Sequence, residues 1–229
     1  MPGVRIVPYH FVFDDEAESF ARQLEYFAAN FEPVALSEAV ARLTRGDATG
    51  NELAVTFDDG FRNQALIAAP LLAEAGFRAC FFLITELIGA EPPDAHRVCR
   101  ERLHLPLPVE PMTWADAATL VEQGHEIGSH TASHPNLAAL PGAEMERELI
   151  SSKTELEHQL GVDIAHVSAP YGGAGRFSGA VSAAARAAGY SSCSTAFRGR
   201  NTDRDVYALR RDHLVAGWPL RHVRYFLSR

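Results

Sequence analysis

The sequence lacks an excess of basic residues. Its 229 residues include 21 Lys and Arg against 29 Asp and Glu, which gives a formal net charge of −8. General nucleic-acid binders are normally basic, because they must neutralise phosphates. The charge therefore argues against a nucleic-acid partner and leaves neutral and cationic substrates open.

Cysteine is also scarce. The three cysteines, Cys80, Cys99 and Cys193, are odd in number and far apart. They form neither the paired spacing of a zinc-binding motif nor a disulfide framework. We expect three free thiols that lie in the core or at the surface.

Long apolar runs are missing as well. No stretch of about 18 apolar residues is available for a membrane helix. Residues 1–12 are interrupted by Pro and Gly, so they do not resemble the apolar region of a signal peptide. We expect no transmembrane segment and a cytoplasmic location, unless a leader was trimmed from the sequence; the oligomeric state is not readable.

What the chain does have is apolar content, at 47% hydrophobic residues, and regular alternation of strand and helix patterns. We expect one domain over residues 1–229. Ser37 is a candidate N-cap for the second helix. The patterns predict strands at 4–10, 33–36, 52–59, 78–84, 125–130, 165–170, 190–195 and 206–211. They predict helices at 15–30, 37–43, 63–75, 114–123, 143–160, 178–188 and 219–227.

Seven or eight such units predict an α/β fold, a parallel (β/α) barrel that is complete or incomplete. The alternative is an open doubly wound sheet. No Gly-x-Gly fingerprint follows the first strand, which weakens the case for a dinucleotide-binding fold. Residues 85–111 hold five prolines and are expected to form an irregular excursion that walls one face.

Polar residues close several of the predicted strands. Because the chemistry of a parallel barrel lies at the carboxyl ends of its strands, we expect these side chains to gather at one rim. They are His10, Asp58, Asp59, His130 with His134 four residues on, the turn that contains Tyr171 and Gly172, and Arg211.

A divalent cation would explain why two carboxylates stand side by side after a buried strand. Asp59, His130 and His134 would supply three ligands and leave one position open, as in catalytic zinc sites. Asp58 would remain free as a base, and the cation would offset the repulsion between the carboxylates. The alternatives are a simple Asp-Gly turn and two solvated or capping histidines.

The motifs T-F-D-D-G, S-H-T-A-S-H-P and P-Y-G, in this order, resemble those of the polysaccharide deacetylases of carbohydrate esterase family four. The resemblance extends over nearly the whole chain. It includes the early Y-H pair, M-T-W, G-H-E-I-G-S-H and the late A-G-Y.

The resemblance implies a distorted, seven-stranded (β/α) barrel and a metal-dependent hydrolase. Its reaction would remove N-acetyl or O-acetyl groups from a sugar polymer, an oligosaccharide or a glycan precursor. The metal would be divalent, zinc first, with Co²⁺, Ni²⁺ and Mn²⁺ as alternatives. An N-acetylated carbohydrate would be the partner.

The resemblance also assigns roles by motif position. Asp58 matches the family's general base. The positions of the family's three metal ligands are occupied here by Asp59, His130 and His134. Tyr171 matches the residue whose backbone N–H stabilises the oxyanion, and the Gly-Gly pair that begins at Gly172 lets the chain approach closely. Gly172 is also a candidate substrate-binding residue.

Two departures from the family pattern lead to further hypotheses. Ser168 stands where many members carry an Arg that pairs with the base, and we hypothesise that Arg211 supplies this charge. The late motif that carries the general-acid histidine is altered, so His213 and His10 both remain candidates for that role. Trp114 and Tyr171 are candidate sugar contacts.

Two other functions remain open. One is a related amidase that acts on a small non-sugar amide. The other is a non-catalytic carbohydrate-binding relative. The complete S-H-T-A-S-H-P motif favours the deacetylase, since the small-amide relatives usually depart there.

Overall fold

The structure, a computed structural model, describes residues 3–106, 109–202 and 205–228. In these ranges, parallel strands alternate with helices along the chain. The strands are β1 (Arg5–Tyr9), β2 (Glu32–Pro33), β3 (Glu52–Phe57), β4 (Cys80–Leu83), β5 (Glu126–Ser129), β6 (His166–Ser168) and β7 (Ser192–Ser194). The helices are α1 (Ala17–Asn30), α2 (Leu36–Arg45), α3 (Ala69–Glu74), α4 (Pro92–Glu101), α5 (Trp114–Glu122), α6 (Gly142–Leu160), α7 (Gly179–Ala187) and α8 (Leu220–Leu227).

The strands form one curled sheet in the order β1-β3-β4-β5-β6-β7, with β2 against the first residues of β3. Every strand pair is parallel. The predicted (β/α) barrel is confirmed, and the open doubly wound sheet is wrong.

Alternation along the strands sends side chains to two apolar clusters. In β3, Val55 and Phe57 belong to a large cluster that includes residues of α1, whereas Ala54 belongs to a smaller cluster that includes residues of α2. Both faces of the strand are therefore buried, which explains its continuous apolar sequence.

Residues 209–214 bridge the two edge strands of the sheet. On one side, the N–H of Leu209 donates to the carbonyl of Cys193 in β7. On the other side, the N–H of Asp212 donates to the carbonyl of Ile6 in β1. The predicted strand at 206–211 is wrong, because Val206–Ala208 form a 3₁₀ turn. The segment that follows nevertheless closes the barrel.

Three further local predictions are corrected. Residues 85–111 include the helix α4, which begins with two prolines and buries Val98 and Cys99. Ser37 is not an N-cap; Ala35 holds that position, and the hydroxyl of Ser37 donates to Glu126. The third helix opens with a π-helical turn at Gln64–Ala68.

The cysteine expectation is confirmed in its core form, since Cys80, Cys99 and Cys193 are all buried and free. Among the described residues, no helix has both the length and the apolar character needed to cross a bilayer. The expected cytoplasmic location stays a prediction.

Candidate active site

A cleft of about 480 Å³ opens at the carboxyl ends of the strands. Most of the polar residues singled out in the sequence line it, although they come from distant parts of the chain. They are His10 after β1, Asp58 and Asp59 after β3, His130 and His134 after β5, Tyr171 after β6, and Arg211 and His213 in the closing segment.

Asp59, His130 and His134 form a compact, buried group that could hold a metal ion. Asp59 Oδ1 lies 3.5 Å from His130 Nε2 and 3.7 Å from His134 Nε2. All three ligand atoms lie within 4.8 Å of one another. Two imidazole nitrogens and one carboxylate oxygen are the donor set of a catalytic zinc site.

The protonation states fit a metal as well. His130 Nδ1 lies 2.8 Å from the carbonyl of Ser168, so Nδ1 carries the proton and Nε2 offers its lone pair. Burial and the adjacent His130 lower the pKa of His134 to about 2, which keeps its ring neutral. Burial raises the pKa of Asp59, so its carboxylate needs a compensating positive charge.

Asp58 is held by a two-point contact with Arg211. Arg211 Nη1 donates to Asp58 Oδ1 and Nη2 donates to Asp58 Oδ2, each at 2.8 Å. Arg211 Nη2 also donates to Ser168 Oγ at 2.8 Å. Burial alone would raise the pKa of Asp58, but Arg211 and His130 outweigh it and hold that pKa well below its usual range.

Several site residues have positive backbone φ angles, which residues other than glycine rarely adopt. Positive φ angles occur at Asp59 (78°), Thr131 (67°), His134 (60°) and Tyr171 (60°). Strained backbone of this kind costs energy and tends to occur at functional sites. Here the left-handed conformations lie in the loops that carry the proposed ligands and the oxyanion donor.

Glu148 of α6 holds the loop between the two histidines. Its carboxylate accepts from the N–H groups of Ala132 and Ser133, at 3.0 and 2.9 Å. It also accepts from the hydroxyl of Ser133 at 2.7 Å. Three hydrogen bonds to one carboxylate fix the loop that ends at His134.

Gln64 joins the ends of β1 and β3. Its fully buried amide nitrogen donates to the carbonyl of His10 at 2.7 Å and to the carbonyl of Asp58 at 2.6 Å. The proposed base and a candidate acid are thus positioned by one side chain. Neither this residue nor Glu148 was singled out from the sequence, because neither belongs to a recognised motif.

The rings of His10 and His213 pack edge to face in the cleft, with centroids 4.9 Å apart. The cleft walls and the neighbouring His10 lower the pKa of His213 below its ordinary value. His10 lines the same cleft as Asp58 and Asp59.

Tyr171 lines the cleft beside His134, with ring centroids 4.8 Å apart. Its hydroxyl donates to the carbonyl of Arg102 at 2.5 Å. Its backbone N–H donates to no group among the described residues.

Two of the expected substrate contacts lie outside the cleft lining. Trp114 begins α5 and packs beside Gly89, where an added Cβ would lie 3.2 Å from the indole. Gly172 is buried, and its space is taken by the backbone near Thr195 and Ala196. The glycine therefore allows two segments of the chain to approach each other, and neither residue contacts the cleft.

Other cleft residues were missed. Leu103 and Leu105 come from the excursion at 85–111, which does wall the cleft. Arg198, Trp218 and Phe226 also line the cleft, and the guanidinium of Arg198 lies 4.1 Å from the Phe226 ring centroid. The aromatic residues between 218 and 226 could have indicated a cleft wall, but their helical spacing is also typical of core residues.

The comparisons with known proteins agree with this geometry. A family model described as polysaccharide deacetylase matches residues 45–193, so the chain belongs to the polysaccharide deacetylase family. A chitooligosaccharide deacetylase of Azorhizobium caulinodans is 31% identical over 134 residues, 58% of this chain and 52% of the relative. One of Sinorhizobium fredii is 29% identical over 123 residues, 52% of this chain and 46% of the relative. The chain thus spans about half the length of these relatives.

Solved structures support the fold over the whole chain. The deacetylase PplD of Streptococcus pyogenes superposes with a TM-score of 0.81 at 18% identity, over 100% of both chains. IcaB of Ammonifex degensii superposes with a TM-score of 0.82 at 21% identity, over 99% of this chain and 97% of the other.

Proposed function

We propose that this protein is a metal-dependent deacetylase that removes acetyl groups from an N-acetylated sugar polymer, oligosaccharide or glycan precursor. The observation that carries the proposal is the buried group of Asp59, His130 and His134 with the ionised Asp58 beside it. The names of the curated relatives support sugar-bound acetyl groups as the substrate class.

Asp59, His130 and His134 would hold the cation, for which their donor set favours Zn²⁺. A divalent cation bound there would supply Lewis-acid chemistry toward the acetyl carbonyl. The buried, neutral imidazoles and the raised pKa of the Asp59 carboxyl fit this role, since a cation would compensate the buried carboxylate.

The other site residues would transfer protons or stabilise the developing negative charge. Asp58 accepts a proton from the attacking water, and its pairing with Arg211 keeps it ionised for that task. The free N–H of Tyr171 donates to the oxyanion that develops on the acetyl oxygen. His10 or His213 donates a proton to the departing amine.

Two features of the cleft favour this function over the alternatives. An inert binding module would have no reason to keep an ionised carboxylate beside a set of metal ligands. A cleft of about 480 Å³ with an apolar wall of leucines and aromatics exceeds the needs of a small amide.

The test combines metal analysis with acetate release. The purified protein should contain about one zinc equivalent and release acetate from N-acetylglucosamine oligosaccharides. Asp59→Asn should lose the metal and the activity together, while Asp163→Asn, an exposed carboxylate distant from the metal ligands in the sequence, should keep both. Bound metal without acetate release from any acetylated sugar would overturn the proposal.

A further inference from the structure

A second groove lies next to the cleft and shares a wall with it. It has a volume of about 450 Å³. His10, Phe11 and His213 line both spaces, so the two form one continuous surface. The groove continues past them to Phe13, Glu16 and Val215.

The outer end of the groove is built on a column of three aromatic rings. Phe61 is fully buried and stacks on Phe11, with ring centroids 4.8 Å apart. Phe11 stacks in turn on Phe13, with centroids 5.4 Å apart and ring planes within 12° of parallel. Phe13 is 43% exposed. A rigid apolar ring is thus presented at the surface, although burial would be its favoured state.

Polar groups border this ring. Glu16 Oε2 accepts from the backbone N–H of Phe13 at 3.1 Å, which fixes the loop and places a carboxylate beside the ring. The imidazoles of His10 and His213 stand at the other end of the groove. Apolar surface edged by a few hydrogen-bonding groups is typical of small-ligand sites.

This pattern matches a pyranose ring. One face of a pyranose presents C–H groups that pack on an aromatic ring, and its edge carries hydroxyls that donate to carboxylates and accept from imidazoles. Because the groove adjoins the cleft, a sugar in it would be linked to the sugar whose acetyl group reaches the metal ligands.

We propose that the groove of Phe11, Phe13 and Glu16 binds the sugar unit next to the one that is deacetylated. Loss of this contact should then lower the activity on linked sugars more than the activity on the monosaccharide. This inference rests on the proposed function, because it assigns the neighbouring subsite of the same reaction.

The experiment compares acetate release from N-acetylglucosamine with release from its β-1,4-linked tetrasaccharide. The ratio of kcat/KM for the tetrasaccharide over the monosaccharide should exceed one in the wild type. In Phe13→Ala this ratio should fall about tenfold, which equals ~1.4 kcal/mol. Ile150→Ala removes another exposed apolar side chain, on α6, and should leave the ratio unchanged.

Binding supplies a second readout that does not need turnover. The metal-free protein is titrated with the tetrasaccharide by calorimetry, and Phe13→Ala should weaken binding by a similar factor. Wild-type turnover with an unchanged ratio and unchanged binding in Phe13→Ala would overturn the subsite alone. Absence of turnover with every sugar would overturn the proposed function instead. A concentration-dependent dimer that Phe13→Ala dissociates would assign the groove to a second copy of the chain and reject the subsite.

Discussion

Arg211 contacts Asp58 through both terminal nitrogens of its guanidinium, at 2.8 Å each. The two residues lie 153 positions apart in the chain. Paired in this way inside a buried site, they form the strong, planar type of carboxylate–guanidinium contact. This contact stabilises the charged form of the proposed base, and its removal has a defined effect on the dependence of the rate on pH.

We predict that Arg211→Ala moves the acidic limb of the kcat/KM profile to higher pH. In the wild type the pKa of Asp58 is held low, so the base loses its charge only in strong acid. Without the guanidinium, burial dominates and raises that pKa. Arg211→Lys should shift the limb less, because it keeps a charge but loses the two-point contact.

The control for this prediction is Arg210→Ala, which changes the neighbouring, exposed arginine. Its acidic limb should coincide with that of the wild type. A limb that stays in place in folded Arg211→Ala, as judged by circular dichroism, would contradict the role assigned to the pair.

For the candidate acids, we predict that His10→Asn lowers kcat more than His213→Asn does. Both rings line the cleft, but burial and the neighbouring His10 lower the pKa of His213 to about 4, so its ring carries little proton to donate near neutral pH. Loss of a general acid typically costs about 10²–10⁴ in rate. The basic limb of the kcat profile should disappear in the same variant.

His222→Asn, at an exposed position in α8, serves as the matched control and should retain the wild-type profile. The assignment reverses if the larger loss and the missing basic limb appear in His213→Asn.

Glu148→Gln should weaken metal binding by about 10–100-fold, the usual effect of removing a residue that orients a metal ligand. The amide keeps the shape of the side chain but loses one of the oxygens that accept from the loop. Competition with a zinc-binding dye measures the affinity. Excess zinc should restore most of kcat, which a direct role in the chemistry would not allow.

Glu146→Gln alters an exposed carboxylate two residues earlier in the same helix and should bind zinc like the wild type. Equal affinities for the two variants would remove Glu148 from the supporting structure of the site.

Gln64→Leu should lower the free energy of unfolding by about 1–3 kcal/mol. It leaves the carbonyls of His10 and Asp58 without their shared donor in a buried position. It should also lower kcat, since both proposed proton-transfer residues lose a common anchor. Urea denaturation and acetate-release kinetics measure the two effects.

Gln159→Leu removes an exposed amide that bonds to Glu155, and it should change stability by no more than about 0.5 kcal/mol. If Gln64→Leu proves as stable as this control, the two hydrogen bonds contribute no net stability.

Much of this arrangement is predictable from the sequence because the relevant signals are local. Strands such as β3 have apolar side chains on both faces and end in polar residues, so the pattern of residue types alone locates Asp58, Asp59 and His130 at strand ends. The barrel follows from the repetition of these units. The position of Arg211 beside Asp58 agrees with the hypothesis drawn from the absence of a family arginine at Ser168.

The remaining features depend on tertiary packing. Trp218 and Phe226 have the spacing of core residues, and only the fold of the chain exposes them to the cleft. Gln64 and Glu148 are ordinary polar residues in helical sequence, and their importance comes from the carbonyl and N–H groups that other segments bring to them. Within the described residues, the closing segment forms no regular strand despite its strand-like sequence, because it pairs with each edge strand over only a few residues.

That closing segment also links assembly to reactivity. Residues 209–214 complete the ring of backbone hydrogen bonds between β7 and β1, and the same six residues carry Arg211 and His213 to the rim. In a molecule whose closing segment has not yet docked, Asp58 would therefore lack its counter-ion and the barrel would be open between β7 and β1. Such a molecule would be a poor hydrolase, so the onset of turnover during refolding should follow the docking of the C-terminal segment.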